Sequence, residues 1–410
     1  MTKYIALLLL APFSLLGQSD SAYEELPELK ASEILRPEIL NGPHHKVQEP
    51  VPTFSGSNHF SIDSDFGAFE AEGNEMLVRR INEINAIAKL KEVSRTDEYK
   101  NALVRAAKSP LAAAKNVIKD PVNTVANVPK GIMKFMGRAG ESIKGIGKKK
   151  DSNEHEGSKL QQIIGYSDTK RKVALKLGVD PYSTNTILQK ELEGISWASF
   201  AGGATFSLGT MPIGGAAGMA MTATNVAGSL DELVSEKSPA DLKILNRKSL
   251  LAMGASESEA ERLLGNDAFS PTAQTAFVLN LKSLDGVANR RAFVKLAGQT
   301  SSSEADVIFC VQTAALMSEI HKEKMPLARI ATIGNFPICV AKDGTVVVAL
   351  QWDYAAWTPL ADRFAREVKA EAKGKPCLVA LSGMVSPQLR QELESREFHV
   401  QDRLSPGPLR

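Results

Sequence analysis

Apolar positions recur along this chain in two rhythms, and the change from one to the other divides it. From about Ala68 to Val93, Leu77, Ile81, Ile84 and Ala88 return at helical spacing with charges opposite, which predicts an amphipathic helix. Ser94 followed by Asp97 has the spacing of a capping box and predicts a second helix over "DEYKNALVRAAK". Between about Ser158 and Lys324 the same rhythm is punctuated by helix starts and stops. One helix ends at Gly178, and another has Ser238 as cap, Pro239 in its first turn and Gly254 after its last. The pattern repeats from Ser270 to Gly286, and a long helix from about Ser303 aligns Val307, Cys310, Val311, Ala314 and Met317. After Pro326 the period shortens to two. "LARIATIG", "FPICVAK" and "TVVVALQW" read as strands, with a tight hairpin at Lys342 to Gly344 between the last two. Helix, strand, helix and strand follow to the end, which implies parallel crossovers.

These rhythms predict an α+β multidomain protein: a mainly α-helical central domain followed by a small C-terminal α/β module with a mixed, partly parallel sheet. The expected divisions are a leader over 1–19, a disordered tail over 20–65, an amphipathic helical segment over 66–150, a linker over 151–158, a helical domain over 159–325 and the α/β module over 326–410. The tail is assigned from its Pro, Ser, Glu and His content and the lack of a sustained apolar period. It carries His44, His45 and His59, but a disordered segment holds no fixed ligand geometry, so no metal site is expected there.

Composition adds little and charge must be read locally, because 410 residues with 43% hydrophobic content carry a net charge of only +2. The opening "MTKYIALLLLAPFSLLGQSDS" has one cation, an apolar run too short to span a bilayer and a small-residue zone around Gly17 to Ser21. That is the pattern of a secretory signal peptide. Export permits disulfides, yet Cys310, Cys339 and Cys377 are an odd count, and Cys339 and Cys377 both sit in strand-like runs where a buried thiol is the ordinary role.

Two stretches bear on membranes. Residues 110–150 contain Pro110, Pro121 and Pro129, so they read as short helices joined at angles, with apolar side chains interleaved with lysines. Lys130, Lys134, Phe135 and Lys144 are the candidate contacts with an anionic membrane surface or an envelope component; the other reading is that these helices wrap the next domain. Ile195 to Leu230 holds no charged residue before Asp231, and Pro212 splits it into halves in which Ala201, Thr205 and Gly209, then Gly214, Gly218 and Thr222, fall four apart. A tight helical hairpin follows from that spacing. Ser, Thr and Gly dilute its hydropathy, so a hairpin buried in the bundle is preferred to one inserted in lipid.

In sheets with parallel crossovers, ligands bind beyond the carboxyl ends of the strands. Trp352, Asp353, Tyr354 and Trp357 at one strand end and Ser382, Gly383 and Ser386 at the next therefore form a candidate ligand crevice, suited to a sugar or peptide. The alternative is that both tryptophans cover core and that Ser386 is an ordinary helix cap. Ser382, His399 and Asp402 make a hydrolase triad on paper only, since "LSGMVS" is not a nucleophile elbow. No phosphate loop, dinucleotide fingerprint or Cys pair is present, so no cofactor or metal is expected, and no basic-aromatic combination suggests nucleic acid. The residues favour an exported bacterial cell-envelope protein, non-enzymatic, associated with a membrane surface or envelope partner. The alternative is a soluble periplasmic binding module or envelope-acting hydrolase using the crevice.

Overall fold

In the computed structural model, which describes residues 22–109, 154–208, 224–404 and 409, the stretch expected to be a disordered tail supplies five strands of an antiparallel sheet. Strands β1 (Glu28–Lys30), β2 (Asn41–Gly42), β3 (His45–Val47), β4 (Pro50–Phe54), β5 (Ser57–Ser64) and β6 (Gly67–Glu72) enclose two short helices, α1 (Ala31–Ile34) and α2 (Pro37–Leu40). The order is β1-β4-β5-β3-β2, with β6 also paired to β5. The correction has a simple cause: only one face of this sheet is apolar. Asn58, Phe60 and Ile62 of β5 point inward while Ser57, His59, Ser61 and Asp63 do not, so the apolar content is thin although the alternation is regular. Ser55 and Gly56, both at positive φ (54° and 82°), make the hairpin turn between β4 and β5.

Because β6 takes residues 67–72, helix α3 (Asn74–Ser94) begins six residues later than its periodicity suggests, after Gly73 at φ 99°. It packs Met76, Leu77, Ile81 and Ile84 into the same core as Phe60 and Ile62. Helix α4 (Asp97–Lys108) is capped by Thr96, whose hydroxyl accepts the Tyr99 N–H at 3.2 Å, rather than by Ser94, which donates back to the Lys91 carbonyl. The basic segment with Lys130, Lys134, Phe135 and Lys144 lies outside the described residues.

The central region is helical: α5 (Glu154–Lys176), α6 (Thr186–Gly202), α7 (Thr224–Glu236), α8 (Pro239–Ala252), α9 (Glu257–Leu264), α10 (Pro271–Lys282), α11 (Arg291–Thr300) and α12 (Glu304–Glu319). Helix α5 starts inside the stretch expected to be a linker. Capping boxes at Ser238, Ser256 and Ser303 set three of the helix starts. The hairpin expected over 195–230 is not continuous: α6 stops at Gly202, Gly203 turns left-handed at φ 65°, and Ala204, Phe206 and Leu208 bury themselves in extended chain. Ala201 and Thr205 therefore share no helix face, and 209–223 lies outside the described residues. Among the described residues no helix is long and apolar enough to cross a membrane.

A buried polar cluster fastens α3 to this region. Glu83, 1% exposed, takes Arg80 at 2.7 Å, the Asn185 amide at 3.0 Å and the Ser183 hydroxyl, while Glu304 takes Arg79 at 2.8 Å and Arg80 at 3.1 Å. Charges this deep persist only when paired and hydrogen-bonded on most sides, as these are.

The C-terminal module is a five-stranded sheet in which β7 (Leu327–Ile333), β8 (Phe336–Ala341) and β9 (Val346–Leu350) run antiparallel. Beyond a short β10 (Tyr354–Ala355) and α13 (Pro359–Ala372), β11 (Cys377–Leu381) joins β9 in parallel; after β12 (Met384–Val385) and α14 (Pro387–Ser395), β13 (Phe398–Gln401) joins β11 in parallel. The run "VVVAL" is apolar throughout because both its faces are covered. Val346, Val348 and Leu350 pack under α13 and α14, whereas Val347 and Ala349 join the core that contains α12. Cys377 belongs to the first of these faces and Cys339 to the second, which rules out a bond between them; all three cysteines are free and buried. Burial pushes the Cys310 and Cys339 thiols up to about 12, so neither is a nucleophile at neutral pH.

Helices α4 and α6 approach so closely that a Cβ on Gly202 would run into the Ala102 carbonyl, and Arg105 Nε donates to the Gly202 carbonyl at 2.8 Å. Gly202→Ala is expected to cost about 1–3 kcal/mol, as overpacking does. Gly203→Ala, with open space around it, should cost only the smaller strain of its left-handed φ. Urea denaturation of both variants tests the ranking.

Candidate functional site

The two loops of the expected crevice do meet. β10 and β12 pair in parallel, Tyr354 opposite Met384 and Ala355 opposite Val385, which sets the Trp352 to Trp357 loop beside Ser382 to Ser386. Their closeness is enforced at Gly383, whose N–H donates to the Trp352 carbonyl at 2.8 Å and where a Cβ would meet the Asp353 carbonyl.

The space between and around them is taken by the chain itself. Glu24 donates its N–H to the Trp357 carbonyl at 2.8 Å, and its carboxylate accepts the Trp357 N–H and the Ser386 hydroxyl, each at 2.5 Å. Tyr23 lies against the Trp357 ring at 6.4 Å and donates to Asp362, while Gln388 donates to the Ala22 carbonyl. Arg396 covers the Trp357 ring at 4.6 Å. Ser386 also caps α14 by accepting the Leu389 N–H at 3.0 Å, and it is 1% exposed. The Trp352 indole packs against Gly56 of the β4–β5 turn and edge-on to Phe336 at 5.4 Å. The Ser382 hydroxyl donates to the Trp352 carbonyl at 3.0 Å.

Asp353 is the hub of this contact. Its side chain, 1% exposed, accepts the backbone N–H groups of Asn58 at 3.0 Å and Asn74 at 2.9 Å and the Gln351 amide at 3.2 Å; its own N–H goes to the Gly56 carbonyl. Burial pushes its carboxyl up to about 6 against the lowering by the two amides. The residues singled out as a ligand crevice thus serve as the joint between the N-terminal sheet and the C-terminal module.

No triad forms from Ser382, His399 and Asp402. His399 is exposed on β13 with Nε2 3.3 Å from Gln401, and Asp402 accepts the Val385 N–H and pairs with Arg390 at 2.8 Å. The three histidines of the N-terminal sheet are dispersed: His45 Nε2 is buried on the Ile39 carbonyl, His59 stacks on Phe54 at 3.4 Å, and His44 pairs with Asp65. Among the described residues no group of three or more His, Cys, Asp or Glu is arranged to hold a metal.

A second concavity escaped the sequence reading, because one of its walls belongs to the stretch read as disordered. A groove of about 660 Å³ opens between the turns at Pro43–His44 and Asp65–Phe66 and the side of α3. His44 Nδ1 is 2.8 Å from Asp65, and the Phe66 ring lies 6.0 Å from His44 and 5.7 Å from Lys91 Nζ. Along α3, Asn82, Asn85, Lys89, Glu92 and Arg95 come up at steps of three or four, so one polar stripe faces the sheet turns. That stripe was visible in the sequence; only its facing wall was not.

Comparison with protein-family models, curated proteins and solved structures gives no match for this chain.

Two outcomes follow from the joint. Asp353→Ala leaves two buried amides without an acceptor, at about 1–3 kcal/mol each, while Asp353→Asn keeps a carbonyl acceptor and should lose less; chemical denaturation compares them. Glu75, half-buried on the first turn of α3, has its carboxyl pushed up to about 8 by burial, opposed by Arg79 and helped by Asp353. Its folded form holds a proton that the unfolded chain gives up near 4.5, so stability is full below that pH and falls as pH rises toward about 8. Thermal melts across this range should show the fall, and Glu75→Gln should flatten it.

Proposed function

We propose that this chain is an exported, non-enzymatic protein of the bacterial cell envelope that meets an anionic membrane surface, or an envelope component with the same charge, through residues 110–150. The leader pattern and the lysine-studded amphipathic segment motivate the reading. The observation that carries it is the closure of that segment's two flanks. Ala106, near the end of α4, and Tyr166, on α5, pack together with Trp197 of α6 in a small core of their own. Tyr166 and Trp197 rings lie 6.1 Å apart, and Phe200 closes the cluster at 6.3 Å from Tyr166.

The described residues on either side of 110–150 therefore meet at one corner of the helical region. Each cation of the segment would contribute about 1 kcal/mol beside anionic lipid. The expected crevice does not compete for this role, since its groups are already partnered within the chain.

Flotation of the chain from Ser19 onward with phosphatidylglycerol vesicles tests the proposal. Binding is expected at low salt and should be lost at high salt. Reversing Lys130, Lys134 and Lys144 to Glu should weaken it at least ~100-fold. A protein that does not float at low salt, or floats equally well after the three reversals, would sink this reading.

A further inference from the structure

The groove beside α3 is where polar groups are left over once the fold has used what it needs. Two of its charges are paired, Lys89 at 2.8 Å from Glu92 and Lys91 at 3.1 Å from Glu191, and the Asp65 carboxylate lies 2.8 Å from His44 Nδ1. Arg95, exposed at the C-cap of α3, makes no ion pair among the described residues. Asn85, half-buried nearly three turns earlier on the helix, has no side-chain hydrogen bond among them either. What remains is one guanidinium, one amide and the His44–Asp65 pair, all lining the groove that Phe66 also lines. The groove's volume of about 660 Å³ is that of a small-molecule site.

These groups define a ligand. A planar guanidinium takes a carboxylate through two parallel hydrogen bonds, an amide and a histidine–aspartate pair read hydroxyls in either direction, and an aromatic ring accepts the apolar face of a sugar. A guanidinium without a carboxylate partner suits a single carboxylate. A phosphate dianion would bring a second charge toward Asp65 and Glu92 with nothing to meet it.

We propose that the groove between the β2–β3 and β5–β6 turns and α3 binds a monoanionic sugar acid, with its carboxylate on Arg95, its hydroxyls on Asn85 and the His44–Asp65 pair, and its ring against Phe66. The site is independent of the membrane reading, because none of its residues lies in 110–150.

Isothermal titration of the intact chain with glucuronate and with a glucuronate-containing disaccharide tests it, with glucose and inorganic phosphate as comparators. Glucuronate should bind saturably with Kd below about 10 mM, the disaccharide more tightly, and glucose and phosphate more weakly than either. Arg95→Ala and Asn85→Ala should each weaken glucuronate about tenfold or more, the size expected for a hydrogen-bonded charge. Lys248→Ala, on an exposed face of α8, should leave binding unchanged. Both groove side chains lie outside the core, so circular dichroism of the variants should match the parent. Absence of saturable glucuronate binding, phosphate binding at least as tightly as glucuronate, or glucuronate affinity unmoved by Arg95→Ala would each overturn the assignment.

Discussion

The fold depends on a carboxylate reaching across almost the whole chain. Asp353, in the C-terminal module, accepts the backbone N–H groups of Asn58 and Asn74 from the N-terminal sheet, partners separated from it by 295 and 279 positions in sequence. Both amides sit where the sheet's own pairing gives out, Asn58 beside the Ser55–Gly56 turn and Asn74 at the first turn of α3. A buried N–H without an acceptor costs as much as several well-made contacts gain. The β4–β5 turn, the start of α3 and the Trp352 loop are thereby fixed to a single point. Glu24 repeats the device a few residues from the described amino end, with Trp357 and Ser386 as donors.

This arrangement explains why the crevice was legible and its meaning was not. The period-two runs after Pro326 and the helix signals that follow specify strand ends, and the loops at those ends meet as parallel crossovers require. What sits between them depends on contacts made hundreds of residues away. Local pattern carries no trace of Glu24 or Gly56 as partners. Aromatic rings, a carboxylate and hydroxyls at a strand end have the same composition whether they face solvent, a ligand or another part of the chain.

The N-terminal sheet was hidden for a different reason. Its strands are short, its outer face is Ser, His, Asp and Glu, and its single apolar face is supplied by alternate residues such as Phe60 and Ile62. A sheet that borrows its core from α3 needs little hydrophobicity of its own, and composition then resembles disorder. The same error concealed the groove, whose polar stripe on α3 makes sense only opposite the turns at His44 and Phe66. The helical region was the most readable part because its signals are local: Ser238, Ser270 and Ser303 cap helices as their spacing predicts. Even there Gly203, by going left-handed, ends a helix that the small-residue periodicity would have continued.

The reach of Asp353 also sets an order of events during synthesis. The N-terminal strands leave the ribosome first, but the acceptor for Asn58 and Asn74 follows nearly 300 residues later. At roughly 5–20 residues per second that is a wait of about 15 to 60 s. Leu409, buried beside Leu35 through an isolated bridge, is later still. Contacts so distant in sequence form slowly and late, so the β4–β5 turn and the start of α3 gain their shared acceptor only after the chain has reached Asp353. The N-terminal sheet is therefore fully hydrogen-bonded only once the C-terminal module is present to receive it.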